Sequence, residues 1–169
     1  VRFSILQRFT ASTPREVIDA YTNPALYATF EGLTKVATPE VVSSEMNGDT
    51  VALTLRMRFI ADLNAAARRV IDPTKVTWLQ DERYDLNTLR ASVVFEPENY
   101  ADRFSSSGGY AFAADPADPT ATIRTISGDL RVRALLVGGQ VEGALVSGLK
   151  EHFAEEQPLV QRWLDHRAT

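Results

Sequence analysis

The sequence predicts an α+β fold in which a run of strands leads into one long C-terminal helix. Two observations carry this. From Glu40 to Arg133 the chain reads as short alternating segments parted by turn residues, and from Leu136 to about Arg167 apolar residues recur at three- and four-residue steps. Val137, Val141, Leu145, Leu149, Phe153, Val160, Trp163 and Leu164 share that helical spacing and give the helix one broad apolar face. A curved sheet wrapped around such a helix leaves room between the two for a bound molecule.

The elements follow in order. Phe3, Ile5 and Phe9 alternate with Arg2, Ser4, Arg8 and Thr10, the pattern of a strand over residues 2–10. Ser12-Thr13-Pro14 followed by Glu16 is a helix start, with proline at the first helical position, and the helix is expected to run to about Tyr21. Asn23-Pro24 breaks it, and a second short helix is expected from Ala25 to Phe30. Residues 40–60 read as a hairpin turning at Asn47-Gly48-Asp49, with Val51, Leu53, Leu55, Met57 and Phe59 on one face and Ala52, Thr54, Arg56 and Arg58 on the other. Alanines between Leu63 and Ile71 predict a short helix or turn, closed by Asp72-Pro73. Strands are expected at 75–84, 88–96, 103–113 and 121–133, the last two parted by a loop from Asp115 to Pro119. The total is seven strands, two short helices after the first, and the long helix. No repeat or linker divides the 169 residues, so one domain, 1–169, is expected.

Composition narrows the function classes. A net charge of −4 and the lack of any basic run argue against nucleic acid or an anionic membrane surface as partner. The absence of cysteine removes disulfides, thiolate zinc sites and a cysteine nucleophile. No apolar run suits a membrane span and no signal peptide precedes Phe3, so a cytoplasmic protein is expected.

Several segments carry a family resemblance: Arg2-Phe3-Ser4, Ala20-Tyr21-Thr22-Asn23-Pro24-Ala25, Phe95-Glu96-Pro97, Tyr100-Ala101-Asp102, Gly128-Asp129-Leu130-Arg131-Val132, Leu136-Val137-Gly138-Gly139 and Ser147-Gly148-Leu149-Lys150-Glu151-His152. With this element order, the chain resembles the START-like superfamily, the helix-grip fold of polyketide cyclases and the birch-pollen allergen. Within it, the sequence looks like an actinobacterial family of unknown function. The resemblance implies a seven-stranded antiparallel sheet gripping the C-terminal helix over an apolar cavity. It assigns no activity, and fold analogy alone does not supply one.

Candidate chemistry lies where polar residues enter the apolar helix face. Glu142, His152 and Glu156 do so, and His152 and Glu156 stand four apart, hence side by side. A carboxylate there is expected to raise the imidazole pKa, giving a general acid or half a metal site; the other reading is a structural pair at the sheet's margin. Pro158 is expected to kink or restart the helix. Gly143 and Gly148 inside the helix call for close packing or for ligand space. On the strand over 75–84, Trp78, Gln80, Glu82 and Tyr84 share a face, placing Glu82 and Tyr84 at or near the cavity mouth if Trp78 points inward. Phe95 belongs to the matching face of the next strand. Phe104, Ser106, Gly108, Tyr110 and Phe112 share the face after that, with small residues between aromatics.

The favoured function is binding of a small hydrophobic or amphipathic molecule, a lipid or polyketide-like compound. Its expected lining is Leu55, Met57, Phe59, Trp78, Tyr84, Phe95, Phe104, Tyr110, Phe112, Val141, Leu145, Leu149 and Phe153. The alternatives are a cyclase- or hydrolase-type enzyme using His152 with Glu156 or Glu82, and a protein-interaction module. No metal or cofactor is expected, since His152 and His166 are the only histidines, and no nucleophile-elbow motif marks a serine triad.

Overall fold

Alternation on the first strand, β1 (Arg2–Phe9), sends Gln7 and Phe9 into the interior and leaves Leu6 outside. The chain then turns into α1 (Pro14–Tyr21), started by a capping box in which the Glu16 N–H donates to Thr13 Oγ1 and the Thr13 N–H to Glu16 Oε2. Asn23 caps α2 (Pro24–Tyr27), a helix shorter at its end than the expected Ala25–Phe30. It stops early because the Thr29 hydroxyl binds the Leu26 carbonyl and Gly32 follows with φ +76°. The computed structural model describes residues 1–63, 65–69, 71–133 and 138–167, so Leu136 and Val137 of the expected helix lie outside the described residues.

The hairpin of β2 (Glu40–Asn47) and β3 (Thr50–Arg58) turns at Gly48-Asp49, with Gly48 at φ +59° as a tight turn requires. Val51, Leu53, Leu55, Met57 and Phe59 are all buried, as the alternation predicts. Four residues form α3 (Ala65–Arg68), and Pro73–Lys75 makes a single 3₁₀ turn. The sheet continues through β4 (Thr77–Asp85), β5 (Arg90–Pro97), β6 (Phe104–Asp115) and β7 (Asp118–Val132). The expected Asp115–Pro119 loop shrinks to Pro116-Ala117. Arg8 clamps Asp115 and Asp118 across the turn, and the ladder skips between Ala114 and Asp115, so Pro119 has no strand partner to disappoint.

All pairings are antiparallel and the order is β1-β7-β6-β5-β4-β3-β2, a meander whose first strand returns to lie beside its last. The long helix, α4 (Gly138–Arg167), runs unbroken for 30 residues. Pro158 therefore neither stops nor restarts it; the proline is exposed, and the carbonyl it deprives, that of Ala154, belongs to an exposed residue. Gly138 and Gly139 belong to the helix itself. Among the strands, α4 lies closest on β1 and β7, while α1 packs against β6 and α4. Space between helix and sheet opens over the middle strands.

Candidate functional site

That space divides into two cavities sharing Trp78, Phe95 and Leu149. The larger has a volume of about 100 Å³ and an almost wholly apolar wall. Phe59 of the loop after β3, Trp78, Phe95, Phe104, Leu145 and Leu149 line it, with the small residues Ser106 and Gly148 among them. A Cβ on Gly148 would rest 3.4 Å from the Phe59 ring, so this glycine keeps helix and aromatic in near contact and leaves space in the wall. Gly143 is different: nothing lies within 4 Å of a Cβ placed there, and the expectation of close packing or ligand space does not hold for it.

The smaller cavity, about 20 Å³, has polar groups in a mainly apolar wall. Leu55, Met57, Tyr110 and Phe153 contribute apolar wall, and Glu82, Arg124, His152 and Glu156 contribute charge or ionisable groups. The Arg124 side chain, 2% exposed, lies with its guanidinium carbon 3.7 Å from the Tyr21 ring centre and 4.0 Å from that of Tyr110. Its Nη1 donates to Glu156 Oε1 at 2.8 Å and to Gln7 Oε1 at 2.9 Å. The Tyr21 hydroxyl donates to the same Glu156 oxygen at 2.7 Å, and Gln7 Nε2 donates to the Phe153 carbonyl. A buried ion pair stands only when its remaining polar groups are satisfied, and here Tyr21 and Gln7 hydrogen-bond to it while the Tyr21 and Tyr110 rings cover the guanidinium.

Across Arg124 sits a second carboxylate. Glu82 accepts from Gln80 Nε2 at 2.6 Å and the Tyr110 hydroxyl at 2.9 Å on one oxygen, and from the Tyr84 hydroxyl at 2.6 Å on the other. Burial pushes this carboxyl above its ordinary value, against those hydrogen bonds and the Arg124 charge, which pull it down. Glu82 is 2% exposed, so it lies on the floor of the cavity and not at the mouth. Tyr84 is as deeply buried beside it and lines neither cavity.

His152 reaches this same cavity from α4, 3% exposed. Its Nε2 stands 3.6 Å from Glu156 Oε2, close but longer than a hydrogen bond. The expected rise of its pKa is overturned: burial lowers the imidazole below its ordinary 6.5, outweighing the raising effect of Glu156. Two of the residues that line this cavity each carry a buried atom, His152 Nδ1 and Arg124 Nε, with no hydrogen-bond partner among the described residues.

Of the residues expected to line a site, Leu55, Met57, Phe59, Trp78, Phe95, Phe104, Tyr110, Leu145, Leu149 and Phe153 meet in the two cavities, together with His152, Glu156 and Glu82. Phe112 and Val141 do not: Phe112 packs on Tyr21, and Val141 joins a separate apolar cluster with Phe59, Leu63, Ile71 and Val132. Glu142, half-buried, accepts from the Val132 N–H and lies outside both cavities. Sequence reasoning missed Gln7 and Arg124. The signal was there, since Gln7 keeps the parity of Phe3, Ile5 and Phe9, and Arg124 that of Ile126, Leu130 and Val132. Among the described residues, no group of three or more histidine or acidic side chains could hold a metal ion, and no helix is long and apolar enough to cross a membrane.

A seven-stranded antiparallel sheet with short helices after its first strand, closed by a long C-terminal helix, is a START-like helix-grip fold. Its relatives in structure bear this out: a START superfamily protein from Mycobacterium smegmatis matches with TM-score 0.59 at 11% identity, over 96% of this chain and 98% of that one. The Zhui aromatase/cyclase from Streptomyces sp. R1128 matches with TM-score 0.65 at 13% identity, over 100% and 97%. Norcoclaurine synthase from Thalictrum flavum matches with TM-score 0.62 at 14% identity, over 97% and 87%. At such identities the likeness is one of fold. By sequence the chain belongs to the DUF2505 family, proteins of unknown function, whose model matches residues 6–164. A search of the curated proteins finds no match.

Proposed function

We propose that this protein binds a small hydrophobic or amphipathic molecule, lipid or polyketide-like in character, between the sheet and α4. The observation that carries the reading is the larger cavity: about 100 Å³, apolar, walled by Phe59, Trp78, Phe95, Phe104, Leu145 and Leu149. Apolar volume left open inside a domain costs stability, because the lining side chains forgo contacts they would otherwise make. A wall of large aromatics interrupted by Ser106 and Gly148 keeps that volume open. The fold shared with an aromatase/cyclase and a norcoclaurine synthase adds support. Composition and resemblance add the expectation of a cytoplasmic protein of actinobacterial source.

A second reading makes the protein an enzyme of cyclase or hydrolase type, with His152 and either Glu156 or Glu82 moving protons. It is favoured by one observation: all three side chains line the same small cavity, which adjoins the apolar one. A buried neutral imidazole is suited to accept a proton from a bound substrate.

Native mass spectrometry of freshly purified protein, set against the same sample denatured, tests the binding reading. A mass excess that disappears on denaturation supports it and yields the ligand for identification. A bare mass, with no ligand taken up from a lipid or polyketide-extract library, counts against it.

A further inference from the structure

The larger cavity limits what can enter it by chemistry and by size. Among the described residues that line it there is no acidic or basic side chain, and the surface they turn inward is almost wholly apolar. Polar atoms of the lining residues are engaged already. Trp78 Nε1 donates to Gln80 Oε1 at 3.4 Å, Asn99 Nδ2 to Thr77 Oγ1 at 3.4 Å, and the Asp72 N–H to Tyr100 Oη at 3.1 Å. A charged group placed inside finds no counter-ion, and a hydroxyl or amide gives up water for no hydrogen bond in return.

The walls are held in place on several sides. Across the sheet Trp78 lies opposite Pro97, Phe95 opposite Ser106, and Ser106 opposite Leu130. Val36 and Phe59 meet in a β-bridge, and the Phe59 N–H donates to the Val76 carbonyl at 2.9 Å. The helix is tied to the segment just before Val36, Lys35 Nζ to Glu151 Oε2 at 2.8 Å and the Thr34 N–H to Glu155 Oε2 at 2.8 Å. Trp78, Phe95 and Leu149 stand between this space and the smaller cavity, as they line both. A long molecule has to break several of these ties. The space as it stands, about 100 Å³ at about 10–15 Å³ for each water-sized atom, holds about seven to ten heavy atoms.

We infer that the larger cavity takes a neutral hydrocarbon group of that size, one ring with a short tail, and neither an acyl chain nor a fused polycycle. Phe59, Trp78, Phe95 and Phe104 favour the ring, since aromatic side chains gain from edge-on and offset contacts that a straight chain does not make. This ligand class rests on the binding reading above and narrows it to compact molecules.

The size limit is measured by calorimetric titration of the full chain into dissolved toluene, ethylbenzene, propylbenzene, butylbenzene and hexylbenzene. Each added methylene is expected to tighten binding about fourfold as far as propyl- or butylbenzene. Hexylbenzene is expected to fall about tenfold below the best of them, because it overfills the space. Affinity still rising at hexylbenzene, as for partition onto an open apolar surface, overturns the class. Phenethyl alcohol and phenethylammonium share the shape of propylbenzene, with a hydroxyl or an ammonium for its end methyl. Both are expected to bind about ten- to a hundredfold more weakly, and equal affinity for either overturns the neutral class. Laurate and dihydroxyanthraquinone stand for the acyl chain and the fused polycycle. Tighter binding of either than of butylbenzene overturns the one-ring size and leaves the binding reading intact. Leu145→Ala, which shortens one side chain of the wall, is expected to move the best ligand to hexylbenzene; an unchanged order in the folded variant overturns the assignment to this cavity. The wild-type series needs no variant to fold. Failure of every compound to bind overturns the binding reading and the class together.

Discussion

His152 lies four residues before Glu156, and spacing alone predicts an imidazole held protonated by its neighbour. The structure reverses the sign because the two effects differ in strength. The carboxylate is 3.6 Å away and already accepts hydrogen bonds from Arg124, Tyr21 and Gln7, whereas the imidazole has lost nearly all its water. The reversal has a consequence for stability. The unfolded imidazole titrates near 6.5 and the folded one below it, so between those values the unfolded chain binds more protons and stability rises with pH. The contribution of His152 is complete above about 6.5 and is lost as pH falls through the folded value. Glu82 works the other way: burial raises its pKa, so its contribution is complete below 4.5 and is lost as pH rises through the folded value. Comparing wild type with His152→Phe cancels Glu82, which both carry. On lowering the pH from about 7.5 to about 5.5, the wild-type Tm is expected to fall relative to the variant's by up to about 3 °C per pH unit. A gap that stays constant across that range in thermal unfolding would show that His152 is not held neutral by burial.

The glycines show how one residue type serves opposite purposes in different elements. In β6, a Cβ on Gly108 would sit 2.3 Å from the Ser127 carbonyl oxygen on β7, so only glycine allows the two strands to lie as they do. In α4, Gly143 touches nothing and sits in helical backbone. Gly143→Ala is therefore expected to stabilise the protein by about 0.5–1 kcal/mol, and Gly108→Ala to destabilise it by about 1–3 kcal/mol or more, both by urea unfolding. The sequence made the helical glycines conspicuous and left their difference hidden, because the distinction lies in what stands opposite each one. The same division runs through the whole reading. Period-two and helical spacing made the strands, the hairpin at Gly48 and the run of α4 legible, since each depends on neighbours in the chain. The Asp115–Asp118 turn was misread, since a clamp from Arg8 on a strand far off in sequence decides it, and the expected restart at Pro158 does not occur, the proline and Ala154 both being exposed. Arg124 was passed over for a related reason. An arginine in a strand suggests solvent, and only Glu156, 32 residues on, with Tyr21 and Tyr110 makes its burial tolerable.

For the molecule as a whole, the sheet and helix meet closely at β1 and β7 and stand apart over β3 to β6. A polar knot of Gln7, Tyr21, Arg124 and Glu156 fastens the close side, and the apolar cavity occupies the open one. Were this space a packing defect, filling it would improve stability with no other effect. Were it a site, filling it would improve stability at the expense of binding. Ser106 separates the alternatives. It lies in the cavity wall on β6, between Phe95 of β5 and Leu130 of β7, and its side chain occupies little of the volume. Ser106→Leu places apolar carbon where none is now, each buried methylene contributing about 0.8 kcal/mol before any crowding is subtracted. The variant is expected to raise Tm by about 2–4 °C and to weaken propylbenzene binding by about tenfold, because it removes room for the ligand. A stabilised variant that binds propylbenzene as before would place the ligand elsewhere. A destabilised one would mean the wall is too rigid to accept the side chain, and that the cavity is fixed by the packing of the strands around it.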